Sequence, residues 1–199
     1  MQIRGTTRLL GLLGNPLSHS YSPAMHNTAI EALGLDLVYL PLKVEGRGIE
    51  FCLKAIRELD FLGVNVTIPH KQAVIPWLDE VSEISRVIGG VNTILCENGR
   101  LSGTTTDPEG FLAGFQEAGH SFDGKNVVIL GNGGTARTLA FTLFLMAKPS
   151  RVVLAARDVS KSKILAQEIH HKLNHTLNVL DLAVYPVHAN EFDVIVNAT

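Results

Sequence analysis

The chain predicts an α/β protein in two parts, an N-terminal α/β domain over residues 1–106 and a doubly wound half-sheet over residues 107–199. Three observations carry this prediction. Short apolar strands alternate with amphipathic helices through the first half, the rhythm of βα units. The run Asn126-Val127-Val128-Ile129-Leu130 enters Gly131-Asn132-Gly133-Gly134-Thr135-Ala136, which reads as a buried strand, a glycine turn and a helix start. A second buried strand, Arg151 to Ala156, follows at the distance of a βαβ crossover.

The elements follow in order. Leu9 to Leu13 is a first strand, stopped by Gly14-Asn15-Pro16. Ser22 then stands where an N-cap belongs with Pro23 at the first helical position; Met25, Ala29, Ile30 and Leu33 form one apolar face, and Gly34 closes the helix. Val38 to Leu42 is a strand, and Ile49, Leu53, Ile56 and Leu59 recur at helical spacing. The strand Asn65-Val66-Thr67-Ile68 ends at Pro69, which cannot donate to a ladder, so Lys71 is delivered to the lip of the sheet. Val91 to Cys96 and Leu101 to Thr104 flank Glu97-Asn98-Gly99-Arg100, where Asn-Gly supplies the positive φ angles of a tight hairpin. The second half opens with a helix from about Pro108 to Ala118, passes a polar turn at Gly119 to Lys125, and ends with a strand at Asp193 to Val196.

Composition narrows the function classes. With 199 residues, 46% hydrophobic and 18% charged, the chain can bury a real core and is not disordered. A net charge of −2 without long Lys/Arg blocks gives no electrostatic reason to expect nucleic acid or an anionic membrane as partner. The expected partner is a small molecule, and a homodimer is left open. Cys52 and Cys96 lie far apart without CxxC spacing, so they read as buried thiols in a reducing compartment. The apolar run after Arg4 and Arg8 is too short for a membrane span or signal peptide, which places the protein in the cytoplasm.

The glycine turn has the spacing Gly131, Gly133, Ala136: the first allows the tight turn, the second admits a pyrophosphate, and the small third residue lets helix and strand approach. Helix amides then face the phosphates. Where the next strand ends, an Asp or Glu would read the ribose hydroxyls of NAD; here Ala156 is followed by Arg157, whose guanidinium can pair with a 2′-phosphate. NADP is therefore the expected cofactor. NAD is the alternative, because Asp158 can hold a ribose hydroxyl or repel that phosphate. The candidate cofactor residues are Gly131, Asn132, Gly133, Gly134, Thr135, Ala136, Arg157 and Asp158, with Lys161 and Lys163 read as solvated. Lys71 with the later carboxylate Asp107 can handle a proton beside a bound nucleotide, although Asp107 also suits a helix cap before Pro108. His26 and His70 have no metal-site spacing, so no metal is expected.

Gly14-Asn15-Pro16 with Ser18 to Asn27, the Asn65 to Lys71 strand, Val91-Asn92-Thr93, Thr106-Asp107 and Gly131 to Ala136 occur in one order that resembles the shikimate dehydrogenase family. The resemblance spans the chain. It implies reduction of 3-dehydroshikimate to shikimate with NADPH, in aromatic amino-acid biosynthesis, on a substrate domain over residues 1–106 and a Rossmann NADP domain over 107–199 that is incomplete at its C-terminus. By position it makes Ser20 and Ser22 the hydroxyls that bind the substrate carboxylate. Asn65, Thr67, Lys71, Asn92 and Asp107 then surround the ring hydroxyls and carbonyl, with Lys71 and Asp107 catalytic. Asn65 and Thr67 share one strand face by alternation, and amides and hydroxyls suit a polyol because they both donate and accept.

Departures from the family pattern are Asn132 for alanine, Thr104-Thr105 for Asp-Asn and Pro108 for glycine. Family members continue past the position of Thr199, so this 199-residue polypeptide is expected to fall short of full activity. Two alternatives stay open: a related dehydrogenase acting on quinate with NAD, and a nucleotide-binding module without turnover.

Overall fold

In the computed structural model, which describes residues 2–199, the chain divides after Thr106 into two units, each with its own sheet. The first unit contains β1 (Arg8–Gly14), α1 (Ser22–Ala32), β2 (Leu37–Lys43), α2 (Ile49–Glu58), β3 (Phe61–Val66), β4 (Glu80–Val81), α3 (Glu83–Ile88), β5 (Thr93–Glu97) and β6 (Arg100–Thr104). Its six strands are ordered β2-β1-β3-β5-β6-β4. β2, β1 and β3 run parallel because helices connect them, whereas β5 and β6 are antiparallel neighbours joined by a tight turn. Asn98 and Gly99 take φ of 51° and 73° in that turn, with Glu97 paired to Arg100, as Asn-Gly predicts.

Alternation along β1 feeds two layers. Leu13 joins Val64, Val66 and Ile94 on the face covered by Ile49, Leu53 and Ile56 of α2, while Leu12 lies with Tyr39 and Ile30 of α1 on the other. Gly63 is required where β3 meets β5: a Cβ there would collide with the Ile94 carbonyl oxygen.

Some expectations shift. α1 starts at Ser22, one residue early, so its cap is Tyr21 and Ser22 lies inside the helix with Pro23 in its first turn. Only Ile30 of its expected apolar face is buried; Met25 and Leu33 are 60% and 72% exposed. The cause is the polar side of the helix. Asn27 bonds the backbone of Tyr39, and the His26 ring stacks on the Tyr39 ring at 4.3 Å, which fixes the rotation of α1. Gly34, at φ 63°, closes the helix with Leu35 N donating to Ile30 O at 3.0 Å. Leu59 lies just beyond α2 and is exposed.

The second unit contains α4 (Asp107–Glu117), β7 (Asn126–Leu130), α5 (Gly134–Met146), β8 (Arg151–Ala156), α6 (Val159–Leu173), β9 (Asn178–Asp181), α7 (Tyr185–His188) and β10 (Val194–Asn197). Its strands are all parallel in the order β10-β7-β8-β9. The order reverses beside β7, so the glycine turn sits at the topological switch point of a doubly wound sheet. β7 and β8 are buried almost throughout, and α5 seals them with Ala136, Leu139, Ala140, Phe141 and Leu143. Phe122, within the segment read as a polar turn, is buried against Phe115 at 4.0 Å between ring centroids. Arg137 of α5 grips Glu168 of α6 with two bonds of 2.5 and 2.6 Å, which ties the crossover helices together. Cys52 and Cys96 are free thiols, and burial pushes both up. Among the described residues no helix is long and apolar enough to cross a membrane.

Candidate functional site

In the first unit the candidate residues gather at one end of the sheet, where β1 and β3 finish and β5 begins. Asn65 is next to last in β3 and pairs with Thr93, the first residue of β5. Its amide nitrogen donates to Thr93 Oγ1 at 3.2 Å and to the Asn92 carbonyl at 3.4 Å, and its Oδ1 accepts the Tyr39 hydroxyl at 2.8 Å. Thr93 Oγ1 donates in turn to Asn92 Oδ1 at 2.8 Å. Asn92 Oδ1 also accepts the Thr106 amide at 3.1 Å, and Asn92 Nδ2 donates to Thr106 Oγ1 at 3.1 Å.

The polarity of this chain is fixed at both ends. The Thr106 N–H can only donate and the Asn92 backbone carbonyl can only accept, so neither amide can be flipped without losing a bond. The Tyr39 hydroxyl must therefore donate. Tyr39 is 3% exposed, and burial pushes its phenol up to about 12, which keeps the proton in place.

Thr67 follows β3 and is held by its amide, which donates to Leu13 O at 2.8 Å. Its methyl occupies the space a Cβ on Gly14 would need, so Gly14 is glycine to seat Thr67. Ser20 Oγ accepts the Ser22 amide at 3.3 Å, which brings these two serines together at the start of α1 and leaves the Ser20 hydroxyl proton for another acceptor.

Lys71 is not on the strand end. β3 stops at Val66, and Lys71 lies five residues further, in a turn segment. That turn is tied down on three sides. Asn15 N donates to Ile68 O at 2.9 Å, and Val91 N donates to Lys71 O at 2.8 Å. The His70 ring, 1% exposed, places Nε2 2.8 Å from Val44 O; a carbonyl only accepts, so Nε2 carries the proton. His70 is thus an anchor for the Lys71 turn. Lys71 itself is half-buried.

Asp107 belongs to the second unit, where it is the first residue of α4 and not the residue preceding it. A carboxylate in that first turn is favoured by the helix dipole. Pro108 is buried behind it.

The glycine turn is built by steric need at one position and by vacancy at another. Gly131 has φ 111°, and a Cβ there would come within 2.6 Å of Ala198 O, the residue after β10. Gly133 is extended, φ −79° and ψ −171°, at the cap of α5, and a Cβ on it or on Gly134 would meet nothing within 4 Å. No side chain caps α5, so its first amides are presented where a phosphate oxygen fits. Thr135 is exposed and Ala136 is fully buried against the sheet.

Two other cofactor candidates carry structural bonds. Asn132 Nδ2 donates to Asp158 O at 2.8 Å and to Ser162 Oγ at 3.1 Å, which fastens the turn to the start of α6. Asp158 Oδ1 accepts the Lys161 amide at 2.9 Å, so this carboxylate caps α6. Arg157 is exposed beside them, at the end of β8, and Lys161 and Lys163 are exposed on α6. Among the described residues no group of His, Cys, Asp and Glu is arranged to hold a metal ion.

Sequence reasoning missed Tyr39, Thr93 and His70 as parts of this site. Tyr39 carried a signal, a polar-tipped ring in an aliphatic strand, whereas the His70 anchor depends on Val44, which only the fold brings near.

Comparison with known proteins covers both units. A family model described as the shikimate dehydrogenase substrate binding domain matches residues 12–94, and one described as shikimate / quinate 5-dehydrogenase matches residues 115–199. The shikimate dehydrogenase (NADP(+)) of Carboxydothermus hydrogenoformans is 39% identical over 197 residues, 99% of this chain and 69% of that protein. A solved shikimate dehydrogenase in complex with NADP+ is 38% identical with a TM-score of 0.87, covering 100% of this chain and 68% of the other. A Listeria monocytogenes shikimate 5-dehydrogenase, solved with shikimate and NAD, is 30% identical with a TM-score of 0.89 over 100% of this chain and 71% of the other.

Proposed function

The chain belongs to the shikimate dehydrogenase family, and on that premise we propose that it is an NADP-dependent oxidoreductase that interconverts 3-dehydroshikimate and shikimate. The observation that carries this reading is that the likeness runs through both units, 99% of the chain at 39% identity, and is not confined to the common nucleotide-binding half. We assign the first unit to the substrate and the second to the nucleotide.

Bound NADPH supplies the hydride. The charge that then develops on the former carbonyl oxygen needs a proton, and Lys71 is the donor we assign, its turn held by His70 and Val91. Asp107 is assigned to favour and orient the Lys71 ammonium. Ser20 and Ser22 would donate to the substrate carboxylate at the start of α1. Asn65, Thr67 and Asn92 would engage the ring hydroxyls; the bonds among Asn65, Thr93 and Asn92 fix which atoms they offer. On the cofactor side, Gly133, Gly134 and Thr135 would present amides to the pyrophosphate, with open space at the two glycines, at the turn shaped by Gly131, fastened by Asn132 and backed by Ala136 packed on the sheet. Arg157 would pair with the 2′-phosphate. Because Asp158 is committed to capping α6, NADP is favoured over NAD.

Initial rates with shikimate or quinate, each with NADP+ or NAD+, test the reading. The pair shikimate and NADP+ should be fastest. Quinate with NAD+ leading would select the other substrate, and no turnover with any pair would select a nucleotide-binding module. The partners on this reading are small molecules. A homodimer is read out by sedimentation, and a cytoplasmic location is checked by cell fractionation.

A further inference from the structure

We infer that Tyr39 is a positioning residue for substrate selection: its phenol holds the Asn65 amide so that a ligand meets the carbonyl oxygen of Asn65 and not its N–H groups. The inference rests on the substrate reading above and adds to it which chemical feature of the ring is recognised there.

Tyr39 is itself immobilised. Its backbone amide and carbonyl are both taken by Asn27, at 2.9 Å each, its ring stacks on His26 at 4.3 Å, and it is 3% exposed. The Asn92 carbonyl, which only accepts, sets which way the Asn65 amide faces, and the Tyr39 hydroxyl, 2.8 Å from Oδ1, clamps its oxygen side in that orientation. Those two nitrogen bonds direct both amide hydrogens at protein acceptors. Oδ1 has two lone pairs and Tyr39 fills one. What Asn65 has left for a ligand is one acceptor position.

An acceptor accepts from a hydroxyl and has nothing to give a ketone or an ether. Asn65 therefore selects for a hydroxyl at the ring position it faces and rejects the analogue lacking it. Without the phenol, the amide keeps its nitrogen-side bonds but loses the clamp on Oδ1, so the acceptor position is no longer held in one place and this selection weakens.

The test is calorimetric titration of the full chain and its Tyr39→Phe variant with shikimate and with the three analogues each lacking one ring hydroxyl. Thermal melts and NADP+ titrations run alongside. Tyr39→Phe keeps the stacked ring, so it should fold and bind NADP+ as the wild type does, yet bind shikimate about fivefold to twentyfold more weakly. For one analogue, the penalty measured with the wild type should shrink in the variant by about the same factor. Should Tyr39→Phe not fold, Thr93→Val, which frees the other side of the Asn65 amide, must erode the same selectivity. Unchanged affinity ratios across all four ligands in the folded variant would overturn the inference while leaving the substrate reading intact. No shikimate binding by the wild type would overturn that reading and this inference with it.

Discussion

Asn27 of α1 satisfies both main-chain groups of Tyr39, donating from Nδ2 to its carbonyl and accepting its amide at Oδ1, each at 2.9 Å. β2 is the outer strand of its sheet, so Asn27 acts there as a one-residue stand-in for a missing neighbour. Replacing it with an isosteric aliphatic side chain strands both groups. Asn27→Leu should lower stability by about 2–3 kcal/mol, read from the urea midpoint, with Asn27→Asp, which loses only the donor, in between.

The first two glycines of the turn, Gly131 and Gly133, should separate fold from ligand. Gly131→Ala forces a Cβ against the Ala198 carbonyl at φ 111°, so it should cost at least about 1–3 kcal/mol in thermal or urea unfolding. Gly133 lies in extended backbone with open space before it, so Gly133→Ala should melt like the wild type. Its NADPH affinity, followed by nucleotide fluorescence, should nevertheless fall about tenfold or more, because the new methyl takes phosphate space. Equal NADPH binding by Gly133→Ala and wild type would move the cofactor elsewhere.

Acid should loosen the α5–α6 contact. The Arg137 guanidinium, followed by Lys172, holds the Glu168 carboxyl well below its ordinary value of 4.5, at about 2. The folded state thus binds this proton more weakly than the unfolded chain does. The stabilisation is complete above about 4.5 and is lost as pH falls toward 2. Glu168→Gln should remove on the order of 1–3 kcal/mol at neutral pH, and its urea midpoint should fall less than the wild type's across that acid range. A pair with no stabilising effect would give parallel curves.

Arg157 is the residue assigned to the 2′-phosphate. Arg157→Ser should weaken NADP+ binding by about tenfold to a hundredfold and leave NAD+ almost unchanged. Equal losses for both nucleotides would show that the guanidinium contacts something they share.

What the sequence revealed was local. The Asn98-Gly99 turn could be read because both residues must take positive φ, and β7 to α5 because glycine and alanine there answer to backbone approach. The rotation of α1 could not, because Met25 and Leu33 are as apolar as Ile30 and the decision belongs to Asn27 and His26 meeting Tyr39 across β2. Asp158 illustrates the same limit: from sequence it holds a ribose hydroxyl or repels the 2′-phosphate, and its role as the cap of α6, bonded to the Lys161 amide, is visible only once α6 is placed. Lys71 was found by its motif, yet the groups that hold its turn, Val44 through His70 and Val91 on the Lys71 carbonyl, come from the residue just past β2 and the approach to β5. The shortest strand and helix, β4 and α7, have too few residues for any periodicity to register.

Lys71 is the residue assigned to supply the proton in a hydride transfer to a ring ketone. Steady-state kinetics of Lys71→Ala with shikimate and NADP+ test this assignment most directly, alone and combined with Asp107→Asn in a double-mutant cycle. The expected result is a loss in kcat of about a hundredfold to ten-thousandfold, little change in NADP+ affinity, and a combined loss smaller than the product of the single ones. A Lys71→Ala enzyme that turns over shikimate at the wild-type rate would contradict it.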